Sequence, residues 1–130
     1  IAVATAINLI SLGVRAVYMP YRQVLTNIKL NFKDEEFYKK ELKKYQECEL
    51  LLIDDLFKGK VSLAEVNIMF EIINYRYTKK LPMIISSERI IEEMLNIDEA
   101  IGSRIYEMCK NYIVTAPREE SNNSRLRRGM

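Results

Sequence analysis

Histidine is absent from this chain, and cysteine occurs only twice, at Cys48 and Cys109, far apart in sequence. Structural zinc is held by cysteine and histidine together, and a thiol nucleophile needs an imidazole beside it, so neither arrangement can be assembled here. Both cysteines read instead as small, reduced core residues, and a cytoplasmic location is expected. No apolar run approaches the roughly 18 residues that cross a bilayer. The aliphatic start carries neither a basic leader nor a small-residue cleavage pattern, so no targeting signal and no membrane partner are expected. A dominant charge is lacking too: 20 basic side chains face 18 acidic ones, for a net charge of +2. Contact with nucleic acid therefore has to be argued from local clusters. The four glycines do not build a G-x-x-x-x-G-K-[ST] loop, whose backbone amides and lysine cradle phosphates. Repeats and low-complexity linkers are also missing. A chain of 130 residues with 48% hydrophobic content is read as one domain with a substantial core.

What is present centres on Glu49 to Leu56, ELLLIDDL. Four consecutive aliphatic residues bounded by charges suit a strand buried on both faces of a parallel sheet. The adjacent carboxylates Asp54 and Asp55 then fall at its carboxyl end, where open α/β sheets bind ligands. Hard cations such as Mg²⁺ take oxygen ligands, and a nucleotide phosphate completes such a site. The bland alternative is that the two aspartates only begin a turn.

Around this strand the pattern alternates. Ile1 to Leu12 reads as a helix closed by Gly13, and Arg15 to Met19 as a short strand stopped by Pro20. Helices follow over Tyr21 to Phe32 and over Asp34 to Gln46, the second capped by Asp34. Ser62 and Glu65 form a capping box for a helix running to about Lys80, with a predicted apolar stripe of Leu63, Val66, Met69/Phe70, Ile73 and Tyr77. Leu81 to Ser86 is a third strand, Arg89 to Leu95 and Asp98 to Lys110 are helices, and Tyr112 to Thr115 is a last strand. After Pro117 the chain is polar and basic. This order predicts an α/β fold, a parallel sheet with right-handed crossovers and helices on both faces. Because Ile1 already lies within a helical pattern with no cap before it, the sequence is expected to be a fragment of a longer protein.

Four segments in this order, LLLIDD at 50–55, IINYRYTKKLPMIISSE at 72–88, GSRIYEMC at 102–109 and SRLRR at 124–128, resemble the AAA+ ATPases of bacterial DNA replication. The similarity is strongest to helicase loaders of the DnaC/DnaI type and the related ATPase subunit of IstB-type transposons, and it covers essentially the whole chain. It implies a P-loop NTPase sheet sandwiched by helices, with residues 1–117 a partial ATPase core and 118–130 a basic tail. The first strand and P-loop would lie upstream of Ile1, that strand fitting between Leu81 to Ser86 and Tyr112 to Thr115.

The resemblance also implies roles. Asp54 would hold Mg²⁺ and Asp55 would polarise the water attacking ATP. Ser87 or Glu88 would occupy the sensor 1 position, although relatives commonly have asparagine where Glu88 stands, and a carboxylate cannot donate as an amide does. A helix cap is the plain reading of Ser86 or Ser87. Arg104 would be the arginine finger reaching a neighbouring subunit, against a plain ion pair with Glu107 or Glu99. Arg125 matches sensor 2, with Arg127 or Arg128 as substitutes and a solvated tail as the plain reading. The helical pair after the first strand would help bind single-stranded DNA through Lys29, Lys33, Lys40 and Lys44, with Lys39, Lys43, Tyr38 and Tyr45 nearby. A salt-bridged exposed helix is the competing reading there, since Glu35, Glu36, Glu41 and Glu47 dilute the charge. Implied partners are ATP with Mg²⁺, a replicative helicase, single-stranded DNA and further copies of the chain. A non-catalytic DNA- or protein-binding adaptor is the rival of a different class.

Overall fold

The structure, a computed structural model, describes residues 12–114. The expected helix from Ile1, the tail from 118 and Arg125 lie outside these residues. Three strands, β1 (Ala16–Pro20), β2 (Leu50–Asp54) and β3 (Met83–Ile85), form a parallel sheet in the order β1-β2-β3. In register Met19 lies opposite Ile53 and Pro20 opposite Asp54, while Ile53 faces Ile85 across the other ladder. Five helices complete the chain: α1 (Tyr21–Leu30), α2 (Glu35–Glu47), α3 (Leu63–Lys79), α4 (Ile91–Ile97) and α5 (Glu99–Cys109). No described helix is long and apolar enough to cross a membrane.

Local chemistry explains most of these boundaries. Leu50, Leu51, Leu52 and Ile53 are all buried, so the central strand is covered on both faces as its sequence demands. Asp34 caps α2 by accepting from the Phe37 amide at 3.0 Å, and Asp98 caps α5 through the Ile101 amide at 2.9 Å. The capping box of α3 forms as expected, with Ser62 and Glu65 exchanging backbone-to-side-chain hydrogen bonds. Gly102 lets α5 cross α4 closely, since a Cβ there would stand 2.7 Å from the Leu95 nitrogen.

Two expectations are corrected. The residues 112–114 adopt no strand; Tyr112 and Val114 are 85% and 83% exposed, and no described strand lies beside them to complete a ladder. The outer edge of β3 likewise has no described neighbour.

The second correction concerns α3. Its buried face runs through Glu65, Ile68, Met69, Ile72, Ile73 and Arg76, whereas Leu63, expected to lead the stripe, is 76% exposed. Polarity misleads here because both ends of the inward face are charged residues with long-range partners. Glu65 accepts from Tyr21 Oη at 3.0 Å, from Arg22 Nη1 at 2.7 Å and from the Ser62 amide at 3.1 Å, and pairs with Lys29 Nζ at 3.3 Å. Burial works to raise its pKa, but these donors prevail and hold the carboxyl below the usual glutamate value. A lowered folded pKa means stabilisation that is present above the ordinary carboxylate range and lost as the pH falls through the folded value. Glu65→Gln is therefore expected to cost about 2–3 kcal/mol at neutral pH, moderated by the partial exposure of Arg22 and Lys29, and much less in acid. Urea unfolding at the two pH values measures the difference; an equal loss at both would refute the role of the charge.

Candidate functional site

The carboxyl ends of β2 and β3 meet at the two aspartates. Asp54 is the last residue of β2, and both of its carboxylate oxygens are held: Ser86 Oγ donates to Oδ1 at 2.7 Å and Tyr18 Oη to Oδ2 at 2.7 Å. The hydrogen bond from Ser86, then that from Tyr18, keeps its carboxyl below the usual aspartate value despite some desolvation. It is thus a fixed anion at neutral pH, with the side chain aimed by two hydroxyls, one on β1 and one just past β3.

Asp55 turns away. Its φ of 56° lies in the left-handed region, as does the 61° of Phe57. Such conformations cost about 1–3 kcal/mol in general, less for aspartate than for phenylalanine, so the surroundings must hold them. They do so from the segment after β3. The Asp55 amide donates to Ser86 Oγ at 3.1 Å, the Leu56 amide to the Ser86 carbonyl at 2.9 Å, and Ser87 Oγ to the Leu56 carbonyl at 2.7 Å. Leu56 and Phe57 are completely buried, and Phe57 meets the Tyr21 ring edge-on at 5.7 Å. The Asp55 carboxylate itself stays half exposed, with Lys58 Nζ 3.8 Å away.

Of the residues expected from sequence, this turn unites Asp54 and Asp55. The serine that meets them is Ser86, whereas Ser87 uses its hydroxyl on Leu56 and on the Arg89 amide at 3.0 Å. Glu88 is exposed on the adjoining bend. Tyr18 was not singled out by sequence; its clue was a tyrosine near the carboxyl end of the strand expected next to the acidic one.

Arg104 belongs to a separate cluster. Neither anticipated ion pair is its partner: it donates Nε to Asn74 Oδ1 at 2.9 Å and Nη1 to the Ala100 carbonyl at 3.1 Å. Its guanidinium packs over the rings of Phe70 and Tyr77, 5.3 and 5.5 Å from their centres.

The lysines expected on the helical pair do not form one set. Lys29 is committed to Glu65, Lys33 sits in the link between α1 and α2, and Lys40 and Lys44 are exposed on α2, Lys44 over the Tyr45 ring at 5.2 Å. Tyr45 is buried and so cannot stack on a base, and Tyr38 donates its hydroxyl to Glu71 at 3.0 Å.

Among the described residues no group of three or more acidic or thiol side chains could hold a metal by itself. Two carboxylates alone are a donor set of the kind that Mg²⁺ takes, since it keeps much of its hydration and shares substrate phosphates.

Comparison with known proteins bears on the family and the fold. A family model described as IstB-like ATP binding protein matches residues 1–108. In Bacillus subtilis (strain 168), the protein YqaM is 41% identical over 107 residues, covering 78% of this chain and 33% of that protein. The phage-like element PBSX protein XkdC of the same organism is 37% identical over 106 residues, covering 78% of this chain and 39% of the relative. The chain thus spans only a third to two fifths of the length of these relatives. A crystal structure of the DnaC helicase loader superposes with a TM-score of 0.59 at 22% identity, over 74% of this chain and 59% of that one. The fold is accordingly an α/β arrangement, a parallel sheet packed with helices, shared with that structure.

Proposed function

The chain belongs to the family of IstB-like ATP-binding proteins, and from that membership we propose that it forms part of an AAA+ ATPase whose ATP cycle loads a replicative helicase onto single-stranded DNA. The observation that carries the reading is the carboxylate pair at the end of the central strand: Asp54 aimed by Ser86 and Tyr18, Asp55 offered to solvent on a left-handed turn. Asp54 holds the magnesium side of the site and Asp55 polarises the attacking water. When bound, Mg²⁺ neutralises charge developing on the phosphate oxygens. Ser86 fixes both aspartates at once, which makes the end of β3 sensitive to what the carboxylates bind. A phosphate-holding segment outside these 130 residues completes the site, in keeping with the absence of a P-loop motif from the sequence and the outer edge of β3, which has no neighbour among the described residues.

On this reading Arg104 serves a neighbouring subunit after leaving its seat on α3, and Arg125 contacts the nucleotide in its own subunit. Ser87 and Glu88 shape the sensor 1 bend. Exposed Lys33, Lys40 and Lys44 are the phosphate contacts for single-stranded DNA, whereas Lys29 is engaged by Glu65. The description of the matching family favours a second reading, a transposition helper ATPase with the same chemistry and a different partner.

The full-length protein is expected to hydrolyse ATP only with Mg²⁺ and to coprecipitate a hexameric replicative helicase. Capture of a transposase in place of the helicase would transfer the assignment to the second reading. Failure to bind or cleave ATP would leave a non-catalytic adaptor.

A further inference from the structure

Beyond the aspartates the turn runs into a basic loop, Phe57 to Lys60, exposed from Lys58 onward, whose four carbonyl oxygens are all taken by two arginines. Arg89, just past β3, donates Nε to the Phe57 carbonyl at 2.8 Å and Nη2 to the Gly59 carbonyl at 2.8 Å. Arg22, on α1, donates Nη2 to the carbonyls of Lys58 and Lys60. The oxygens thus alternate between the two guanidinium groups. The backbone permits this because Asp55, Phe57 and Gly59, every second residue, have φ of 56°, 61° and 80°. Each arginine is anchored in turn. Arg22 Nη1 is bound to buried Glu65 at 2.7 Å, and the Arg89 amide donates to Ser87 Oγ, which itself donates to Leu56.

We propose that Arg89 and Arg22 are positioning residues for the carboxylate pair: their clasp on Phe57 to Lys60 fixes the left-handed turn that aims Asp55, and ties it to the β3 segment that supplies Ser86. The inference rests on the reading of this turn as a site of ATP hydrolysis. Packing alone does not account for the clasp. Leu56 and Phe57 already anchor the loop in the core, while Lys58, Gly59 and Lys60 are exposed, so ordering two long side chains over them brings little apolar burial. What the clasp supplies is orientation, and displacement of a reacting group by about 1 Å can cost about a hundredfold in rate. Lysine cannot replace either arginine, because a single ammonium lacks the planar fork with which Arg89 spans two carbonyls through Nε and Nη2, and with which Arg22 holds the loop through Nη2 and Glu65 through Nη1.

The test uses Arg89→Ala, Arg89→Lys and Arg22→Lys in the full-length protein. Arg22→Lys keeps a cation near Glu65 and loses only the fork. All three are expected to lower kcat for ATP by about ten- to a hundredfold, with KM within about threefold of wild type. Hydrogen exchange at the Leu56 and Lys58 amides should rise, because the first is bonded to the Ser86 carbonyl and the second to the Asp55 carbonyl, and melting temperatures of the Lys variants should stay near that of wild type. Unchanged kcat in a variant of an active wild type would overturn the clasp and leave the ATPase reading intact; so would kcat and KM worsening in step with a fall in melting temperature. A wild-type protein without ATPase activity would overturn the ATPase reading. In that case hydrogen exchange still decides whether the arginines hold the turn, and unaltered exchange overturns the inference outright.

Discussion

Exchanging Asp55 for asparagine is expected to lower ATP turnover by about a hundred- to a thousandfold while leaving nucleotide affinity within about threefold of wild type. The amide has the size and shape of the carboxylate but cannot take a proton from water. The backbone should not object: Asp55 sits at φ 56°, a left-handed conformation that asparagine tolerates at least as well as aspartate. Among the described residues its side chain has one ionic neighbour within reach, the half-exposed Lys58, so little folded-state stability depends on the charge. Asp54→Asn would be a poorer probe, because an amide nitrogen would replace one of two oxygens that each accept a hydroxyl, from Ser86 or Tyr18. Steady-state hydrolysis with Mg²⁺, paired with equilibrium binding of a non-hydrolysed ATP analogue, separates chemistry from affinity. Turnover equal to wild type would remove Asp55 from the reaction.

The parts of the site that were legible in sequence are those whose cause is local. An aliphatic run ending on two acids can hardly be anything but a buried strand with its carboxylates at the carboxyl end, and Ser62 with Glu65 marks a helix start by chemistry confined to four residues. Residues whose role depends on distant acceptors were not legible. Tyr18 and Ser86 become carboxylate-aiming groups only once three strands are aligned, and Arg22 and Arg89 acquire their carbonyls from a loop more than 25 positions away. The face of α3 was misjudged for the same reason: periodicity sorts residues by polarity, and Glu65 and Arg76 are polar residues made internal by partners on other elements. The strand expected at Tyr112 shows the converse, since strand-forming residues stay irregular where no described neighbour supplies a ladder.

Arg76 carries the largest stability effect expected in the described residues. Its side chain is fully buried, and its partners are mostly carbonyls: Nη1 donates to Tyr45 at 3.3 Å, Gln46 at 3.1 Å and Cys48 at 2.6 Å, as well as to Cys48 Sγ at 3.3 Å, and Nη2 to Glu49 at 3.4 Å and Pro82 at 2.6 Å. Two of these belong to the last turn of α2, where helical carbonyls lack intrahelical donors and the helix dipole is negative, so the guanidinium both caps α2 and finds there a substitute for a counter-ion. The others fix the entries to β2 and β3, so one side chain sets the amino-terminal end of the sheet opposite the carboxylate turn. Desolvation lowers the pKa of Arg76, yet a guanidinium starts so high that it remains charged at neutral pH. Arg76→Ala would leave several buried carbonyls without a donor and open a cavity, and is expected to cost about 3–5 kcal/mol. Arg76→Met fills the space but not the hydrogen bonds, and should recover at most about 1–2 kcal/mol of that loss. Arg76→Lys should fall between wild type and methionine, since three donors on one atom cannot reach both sets of carbonyls. Denaturant unfolding of the three variants orders them: a methionine variant as stable as wild type would show that the guanidinium fills volume, and that the carbonyls of α2 and the strand entries do not need it.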